Sequence, residues 1–235
     1  VSDWSSDVCS SDLAAGLART SEYLRAFPDE VAVLLAVELC SLTFQPEDGS
    51  AANLISTGLF GDGAAAVVLA GHRHRLASGR PPRVLATRSV FFPNTERVMG
   101  WDVVDSGFKV VLSADVPHIV EKHARSAVDD LLSPFGLARG DVRAWIIHPG
   151  GPKVIDAMER ALELRDGELD RTRRSLARVG NLSSASVLFL LRERFEEDPP
   201  PPGAYAVMMA MGPAFCAELV RSEERRVGKE CRSRW

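Results

Sequence analysis

Apolar positions follow two periods along this chain, and together they predict alternating strands and helices. Continuous apolar runs of strand length are typical of buried strands. Strands are predicted at residues 31–39, 64–70, 83–92, 143–148, 204–211 and 215–220, and continuous apolar runs occur at 31–39, 64–70, 144–147 and 204–211. Helical patterns cover residues 15–25, 116–132 and 152–163, and Asp115 is placed to cap the second of them. The pattern predicts a layered α/β fold with mostly buried strands.

Composition places the chain among ordinary globular proteins. Its 235 residues are 46% hydrophobic and 26% charged, which suits an α/β protein with a sizeable core. The net charge of −4 gives no electrostatic reason to expect nucleic acid or a membrane surface as a partner. No apolar run approaches the ~20 residues of a membrane span, and no secretion signal is recognisable. The four cysteines form no CxxC pair, so the sequence predicts a cytoplasmic enzyme with no metal site.

Both ends of the chain differ from its interior. Residues 1–13 are rich in Ser and Asp without a usable period, and residues 221–235 form a mixed-charge tail. Both strings resemble translated adapters used in short-read sequencing. We therefore expect both to be adapter-like and set them aside from fold prediction, as one would an expression scar.

Two short segments carry the most specific chemistry. His148-Pro149-Gly150-Gly151-Pro152 follows a predicted strand, and Gly180-Asn181-Leu182-Ser183-Ser184 opens an apolar helical stretch. A neutral His and an Asn that point at one place can hold the oxyanion of a thioester enolate or a tetrahedral intermediate. A lone His at a strand end is more often structural, and a lone Asn is more often a helix cap. The adjacent glycines let a ligand approach closely, and so they favour an acyl-transfer site.

The other candidate motifs have simpler explanations than a binding or catalytic site. Gly61-Asp62-Gly63 superficially matches a dinucleotide-binding loop, but it precedes a strand, whereas that loop follows a strand and opens a helix. The remaining histidines are most simply surface residues: His72, His74, His118 and His123.

The ordered set of motifs resembles the type III polyketide synthases, the chalcone-synthase-like branch of the thiolase fold. These motifs are HPGGP, GNLSSAS, LFGDGAAAVVL and Met211-Gly212-Pro213, and residues 99–117 resemble bacterial members. The resemblance extends in collinear order through residues 14–220. It implies a layered αβαβα fold, with residues 14–73 ending the N-terminal half and residues 74–220 forming the C-terminal half.

The resemblance also implies a Cys-His-Asn acyltransferase that acts as a homodimer on CoA thioesters without a cofactor. A Cys thiolate receives the starter from an acyl-CoA, malonyl-CoA decarboxylates, and His148 and Asn181 hold the enolate. Family positions along the cavity and its gates correspond to Phe60, Cys40, Thr43, Trp101, Val110, Ser183, Gly212 and Pro213. Positions beside the pantetheine arm correspond to Gly151, Pro152 and Lys153. A Gly-Phe-Gly-Pro-Gly loop of the family corresponds to residues 210–214, where Ala210 and Ala214 replace its first and last glycines.

The nucleophile is expected near position 10, where the chain has Ser10. Cys9 lies one residue away, but this offset at a helix entry turns the side chain by about 100°, so we interpret Cys9 as a coincidence. Cys40 and Cys216 are better explained as small core or cavity-wall residues. The chain is thus expected to be a truncated, inactive piece of an active synthase. Two alternatives stay open: a ketoacyl-carrier-protein synthase III-like enzyme, and a non-catalytic thiolase-fold remnant.

Overall fold

The computed structural model describes residues 12–79 and 81–225. Their α-helices are α1 (Asp12–Ala26), α2 (Ala51–Leu59), α3 (Val116–Leu132), α4 (Pro152–Leu162), α5 (Asp170–Val179) and α6 (Ser186–Glu197). Their strands are β1 (Val31–Glu38), β2 (Gly63–Ala70), β3 (Arg83–Phe91), β4 (Met99–Val104), β5 (Gly107–Leu112), β6 (Val142–Ile147), β7 (Tyr205–Gly212) and β8 (Cys216–Glu223).

A four-stranded sheet in the order β3-β8-β7-β6 forms the centre of the described chain. Strands β6 and β7 are parallel, and β8 runs antiparallel to both of its neighbours. Because side chains alternate along a strand, Ile146 and Met208 enter one core while Ile147 and Met209 enter the other. The strands β6, β7 and β8 are therefore buried on both faces, as their apolar runs predicted.

Helices cover both faces of this sheet. On one face, α3 and α4 pack together and supply Val120, Val128, Ile155 and Met158 to the larger core. On the other face, α1 and α6 lie between the central sheet and the antiparallel pair β1–β2. The layers are β1–β2, then α1 with α6, then the four-stranded sheet, then α3 with α4. The prediction of a layered α/β fold is confirmed.

The outer strands correct one expectation. The run at 31–39 predicted a strand buried on both faces, yet alternate residues of β1 are exposed, with Val33 at 65% and Leu35 at 66%. Within the described ranges, no helix layer covers this side of β1–β2. An apolar run indicates that a strand is suited to burial. Whether both of its faces are buried depends on which elements pack against the strand.

Helix α3 occupies the predicted residues, but the predicted cap is wrong. Asp115 makes no capping hydrogen bond through its side chain. A capping carboxylate accepts from the N–H of the second or third helical residue, and the second residue here is Pro117, which has none. The Asp115 carboxylate instead accepts from Ser113 Oγ at 3.1 Å.

Three elements carried no clear sequence signal: α2, α5 and the hairpin formed by β4 and β5. Strand β8 also continues to Glu223, three residues beyond the predicted end at 220. No helix in the described ranges is both long and apolar enough to cross a membrane. The same ranges contain no group of three or more His, Cys, Asp or Glu placed to hold a metal ion.

Candidate active site

His148 follows the last residue of β6 and extends the sheet by one hydrogen bond. Its backbone N–H donates to Met209 O on β7 at 2.9 Å. The side chain is 3% exposed, and burial lowers the pKa of the imidazole to about 4. Its Nδ1 has no hydrogen-bond partner among the described residues. His148 is therefore a neutral imidazole at pH 7, which is the form expected of an oxyanion donor.

Asn181 is oriented by a local turn. Its Oδ1 accepts from Ser183 N–H at 2.9 Å, so the amide nitrogen, which is the donor, lies at the other end of the group. The backbone of Asn181 pairs with the end of α2: its N–H donates to Leu59 O at 2.8 Å, and its O accepts from Gly61 N–H at 2.9 Å. Asn181 does not cap α6, which starts five residues later after a 3-10 turn at Ser183–Ala185.

The two motif loops converge on the end of α2. A Cβ added to Gly180 would lie 2.9 Å from Leu59 O, and Gly180 has φ +75°, so glycine is required there for space and for conformation. A Cβ added to Gly151 would lie 3.7 Å from Leu59 Cδ2, which places the HPGGP loop at the same residue. Two segments about thirty residues apart in the sequence are thus brought to one place.

A cavity of about 610 Å³ opens beside this point. Six of the residues named from the sequence line it: Phe60, Cys40, Thr43, Trp101, Val110 and Ser183. They come from five separate elements or turns, and the isolated bridge between Phe60 and Asn181 joins this lining to the segment that carries Asn181. These six residues therefore line one cavity together.

Other predicted residues lie outside this lining. Gly212 ends β7, and Pro213 is in the turn to β8. Gly151 precedes α4 with φ +147° and is buried, whereas Pro152 and Lys153 are exposed on the first turn of that helix. Cys9 and Ser10 lie outside the described residues, and the position of the nucleophile stays a prediction.

Acidic residues at the cavity were missed by the sequence reasoning. Asp62 accepts from Ser41 N–H at 2.7 Å and from Ser41 Oγ at 2.6 Å, which fixes the 3-10 turn that begins at Cys40. Glu38 accepts from the N–H and Oγ of Ser184, next to Ser183. The Gly-Asp-Gly signal that was set aside as a nucleotide motif thus contains a residue that shapes the wall.

The electrostatics of the wall argue against Cys40 as a nucleophile. Burial, together with the nearby charges of Glu38 and Asp62, raises the pKa of the Cys40 thiol to about 11. The thiolate is the reactive form of cysteine, so this thiol is nearly all protonated at pH 7. The chemistry available at Cys40 is that of a small wall residue.

Comparisons with known proteins agree with this arrangement. The family described as "Chalcone and stilbene synthases, C-terminal domain" matches residues 83–221. The 1,3,6,8-tetrahydroxynaphthalene synthase of Streptomyces peucetius subsp. caesius is 52% identical over 207 residues, which are 88% of this chain and 55% of that protein. The 3,5-dihydroxyphenylacetyl-CoA synthase of Amycolatopsis orientalis is 37% identical over 201 residues, covering 85% and 53%.

Among solved structures, the 1,3,6,8-tetrahydroxynaphthalene synthase of Streptomyces coelicolor A3(2), a bacterial type III polyketide synthase, superposes with a TM-score of 0.87. It is 30% identical, and the match covers 94% of this chain and 62% of that one. The chain thus spans about half the length of the curated relatives that it matches.

Proposed function

Because the chain belongs to the chalcone and stilbene synthase family, we propose that it supplies the His–Asn part of a type III polyketide synthase active site. The proposed reaction is decarboxylative condensation of malonyl-CoA onto an acyl starter held as a cysteine thioester. The convergence of the His148 and Asn181 loops beside a 610 Å³ cavity is the observation that carries the proposal. The family match favours this reaction over that of a carrier-protein-dependent condensing enzyme.

The first step is the decarboxylation of malonyl-CoA. The bond between the α-carbon and the carboxylate breaks, carbon dioxide leaves, and the electron pair remains as the enolate of acetyl-CoA. Negative charge then collects on the thioester oxygen, where N–H donors from His148 and Asn181 stabilise it. Removal of one donor of this kind typically costs about 10²–10³ in rate. The two side chains bind the enolate more tightly than the uncharged thioester, which is the condition for catalysis.

The second step joins two carbons. The enolate carbon attacks the carbonyl carbon of the acyl thioester, a C–C bond forms, and the cysteine thiolate leaves. The product is a β-ketoacyl-CoA, and repetition of the cycle lengthens the chain. The thiolate that leaves in this step belongs to the Cys expected near position 10, outside the described residues.

The charge state of His148 supports this division of roles. Since burial holds its pKa at about 4, the imidazole is an uncharged donor across the neutral range. Catalysis by such a donor depends on its being fixed in place before charge develops, because no solvent then has to reorganise. The sheet hydrogen bond to Met209 and the burial of the ring provide that fixation.

We propose malonyl-CoA and an acyl-CoA starter as substrates, no cofactor, and a homodimer as the working assembly. One relative is named 3,5-dihydroxyphenylacetyl-CoA synthase. That name refers to a CoA thioester, which supports CoA as the carrier. The lining of the cavity is mixed, with apolar groups such as Phe60 and Val110 beside polar groups such as Thr43. Such a lining suits a chain of alternating methylene and carbonyl groups.

Product formation by the full-length protein tests the proposal. The protein is incubated with an acyl-CoA starter and either malonyl-CoA or malonyl-carrier protein, and the products are followed by mass spectrometry. We expect polyketide products and preferred use of malonyl-CoA. Preferred use of the carrier-protein substrate would instead identify a ketoacyl synthase III-like enzyme, and the absence of condensation with either donor would indicate a non-catalytic protein.

A further inference from the structure

Gln45 joins the loop before α2 to the turn of the β4–β5 hairpin. Its side chain is nearly enclosed, at 7% exposure, although the turn itself is at the surface. Gln45 Oε1 accepts from Ser106 Oγ at 2.6 Å, and Nε2 donates to Phe108 O at 3.2 Å and to Ser106 O at 3.4 Å. Both ends of the amide are thus used on the hairpin.

The loop that carries Gln45 is itself held firmly. Asn53 on α2 is buried, and its Nδ2 donates to Gln45 O at 2.8 Å and to Asp48 O at 2.7 Å. Ser50 caps α2 by accepting from Asn53 N–H. Buried amides with satisfied hydrogen bonds make such a loop rigid, because breaking one leaves a buried polar group without a partner. The side chain of Gln45 therefore extends from a loop whose position is fixed.

The hairpin is anchored differently at its two ends. At its base, Met99 and Leu112 pack against the larger core. Near its turn, Val103 is 81% exposed and Phe108 is mostly exposed. Besides Gln45, two ion pairs among the described residues tie this end, Lys109 Nζ to Asp48 Oδ2 at 3.1 Å and Arg97 to Asp102, and β5 also packs against α2 and the 3-10 turn at Cys40–Thr43. Gln45 contributes three hydrogen bonds from a nearly enclosed side chain, and breaking them leaves a buried amide without partners.

The hairpin also forms one wall of the cavity. Trp101 and Val110 are register partners across β4 and β5, and both line the cavity. A displacement of the hairpin end would move both side chains relative to Phe60 and Cys40, which line the same cavity from other parts of the chain. The width of the cavity therefore depends on where Gln45 holds the hairpin.

We propose that Gln45 is a positioning residue that sets the cavity width and thereby the size of acyl chain that is accepted. The role in acyl selection rests on the proposed function. The attachment of the hairpin turn through the side chain of Gln45, which we call the clamp, does not. Because Gln45 acts through Trp101 and Val110, its loss should change substrate size preference without removing the donors on His148 and Asn181.

Hydrogen exchange tests the clamp independently of activity. Gln45→Ala removes all three hydrogen bonds, and Ser106→Ala removes one from an exposed position, so the second variant keeps the test valid if the first does not fold. We expect amide exchange in residues 101–110 to rise at least tenfold in Gln45→Ala and less in Ser106→Ala. Ser89→Ala is the control, since it removes an exposed hydrogen bond to Glu218 away from the cavity. Unchanged exchange in both hairpin variants would overturn the clamp.

Cavity width is measured on Cys40 without catalysis. N-ethylmaleimide and the bulkier N-pyrenylmaleimide react with the same thiol, so the ratio of their rates cancels the thiolate fraction and reports access. We expect the ratio of bulky to small reagent at Cys40, followed by peptide mass spectrometry, to rise at least fivefold in Gln45→Ala. A ratio equal to that of Ser89→Ala would contradict the role in setting width.

Acyl selection is then measured on the full-length enzyme. We expect kcat/KM for lauroyl-CoA relative to acetyl-CoA to rise at least fivefold in Gln45→Ala, mainly through KM, with malonyl-CoA decarboxylation within twofold of wild type. Equal loss for both starters would show a merely structural role and overturn the proposal. If the wild type lacks activity, the proposed function fails, whereas the exchange and labelling results still decide the clamp.

Discussion

At the scale of single residues, the burial of His148 is the feature with the clearest physical consequence. In the unfolded chain the imidazole takes a proton below about pH 6.5, whereas in the fold it does so only below about pH 4. Between these values the unfolded state binds more protons, so stability falls as the pH is lowered. The group thus contributes its full stabilisation only above about pH 6.5.

Burial of His148 should therefore make the free energy of unfolding of the chain depend on pH. We expect an extra loss of about 3 kcal/mol from His148 between pH 6.5 and pH 4, since one pKa unit corresponds to about 1.4 kcal/mol. In His148→Gln this part of the pH dependence should disappear. Urea unfolding followed by circular dichroism at several pH values measures the difference. An identical slope in the variant and the wild type would show that His148 is not desolvated.

The sequence identified residues whose type is tied to chemistry, and it missed those whose role is geometric. His148 and Asn181 stand in recognisable motifs, and the six residues that line the cavity correspond to positions of a family that those motifs identify. Gln45, Glu38 and Asn53 are polar residues without a motif, and their importance comes from partners 61, 146 and 8 positions away. Such pairings follow from the tertiary fold, and no local spacing records them.

At the scale of elements, the Asn motif depends on a close contact with the end of α2. We expect Gly180→Ala to destabilise the chain by about 1–3 kcal/mol, because its Cβ would lie 2.9 Å from Leu59 O at a positive φ. Gly58→Ala is the matched control on α2, where nothing lies within 4 Å of the added Cβ. That change should stabilise the helix by about 0.5–1 kcal/mol. Thermal unfolding of the pair measures both, and a stable Gly180→Ala would contradict the contact.

The turn between β7 and β8 contains an alanine in a left-handed backbone conformation. Ala214 has φ +52°, at one of the two positions where the family loop has glycine, so the side chain carries a steric penalty. We expect Ala214→Gly to stabilise the chain by about 0.5–1 kcal/mol. Ala138→Gly is the control, since Ala138 has φ −118° and should lose stability through chain entropy alone. Equal losses in both variants, measured by chemical unfolding, would show that Ala214 is unstrained.

The elements that the sequence failed to predict share a physical cause. Helix α5 buries only Thr172 and Ser175, so it has no apolar stripe to detect. Helix α2 contains Ser56, Thr57 and Gly58 in succession, and these residues are weak helix formers. The β4–β5 hairpin is largely exposed and is held near its turn by side-chain hydrogen bonds. Where burial is apolar and periodic, as in α3 and β7, the predicted bounds agree with the structure to within a residue.

At the scale of the whole molecule, the outer face of β1–β2 stands out. Val31, Val33, Leu35 and Val37 of β1 align with Val68 of β2 on one exposed side. Contiguous apolar surface of this kind binds hydrophobic dyes and promotes association. We expect the double variant Val33→Thr, Leu35→Thr to bind about half as much anilinonaphthalene sulfonate as the wild-type chain.

The control for that prediction is Leu76→Thr, which removes one isolated exposed side chain from the 3-10 turn at Arg75–Gly79. Threonine is β-branched and favours strands, so the double variant should fold. Dye fluorescence that falls equally in both variants would show that β1–β2 presents no special apolar surface.

The central claim is that His148 and Asn181 together stabilise the enolate formed from malonyl-CoA. Release of carbon dioxide from malonyl-CoA by the full-length protein, without any starter, tests it most directly because this step needs the two donors and no acyl group. We predict a loss of about 10²–10³ in His148→Ala and in Asn181→Ala, and wild-type rates in the exposed control His118→Ala. Decarboxylation at the wild-type rate in His148→Ala would contradict the claim.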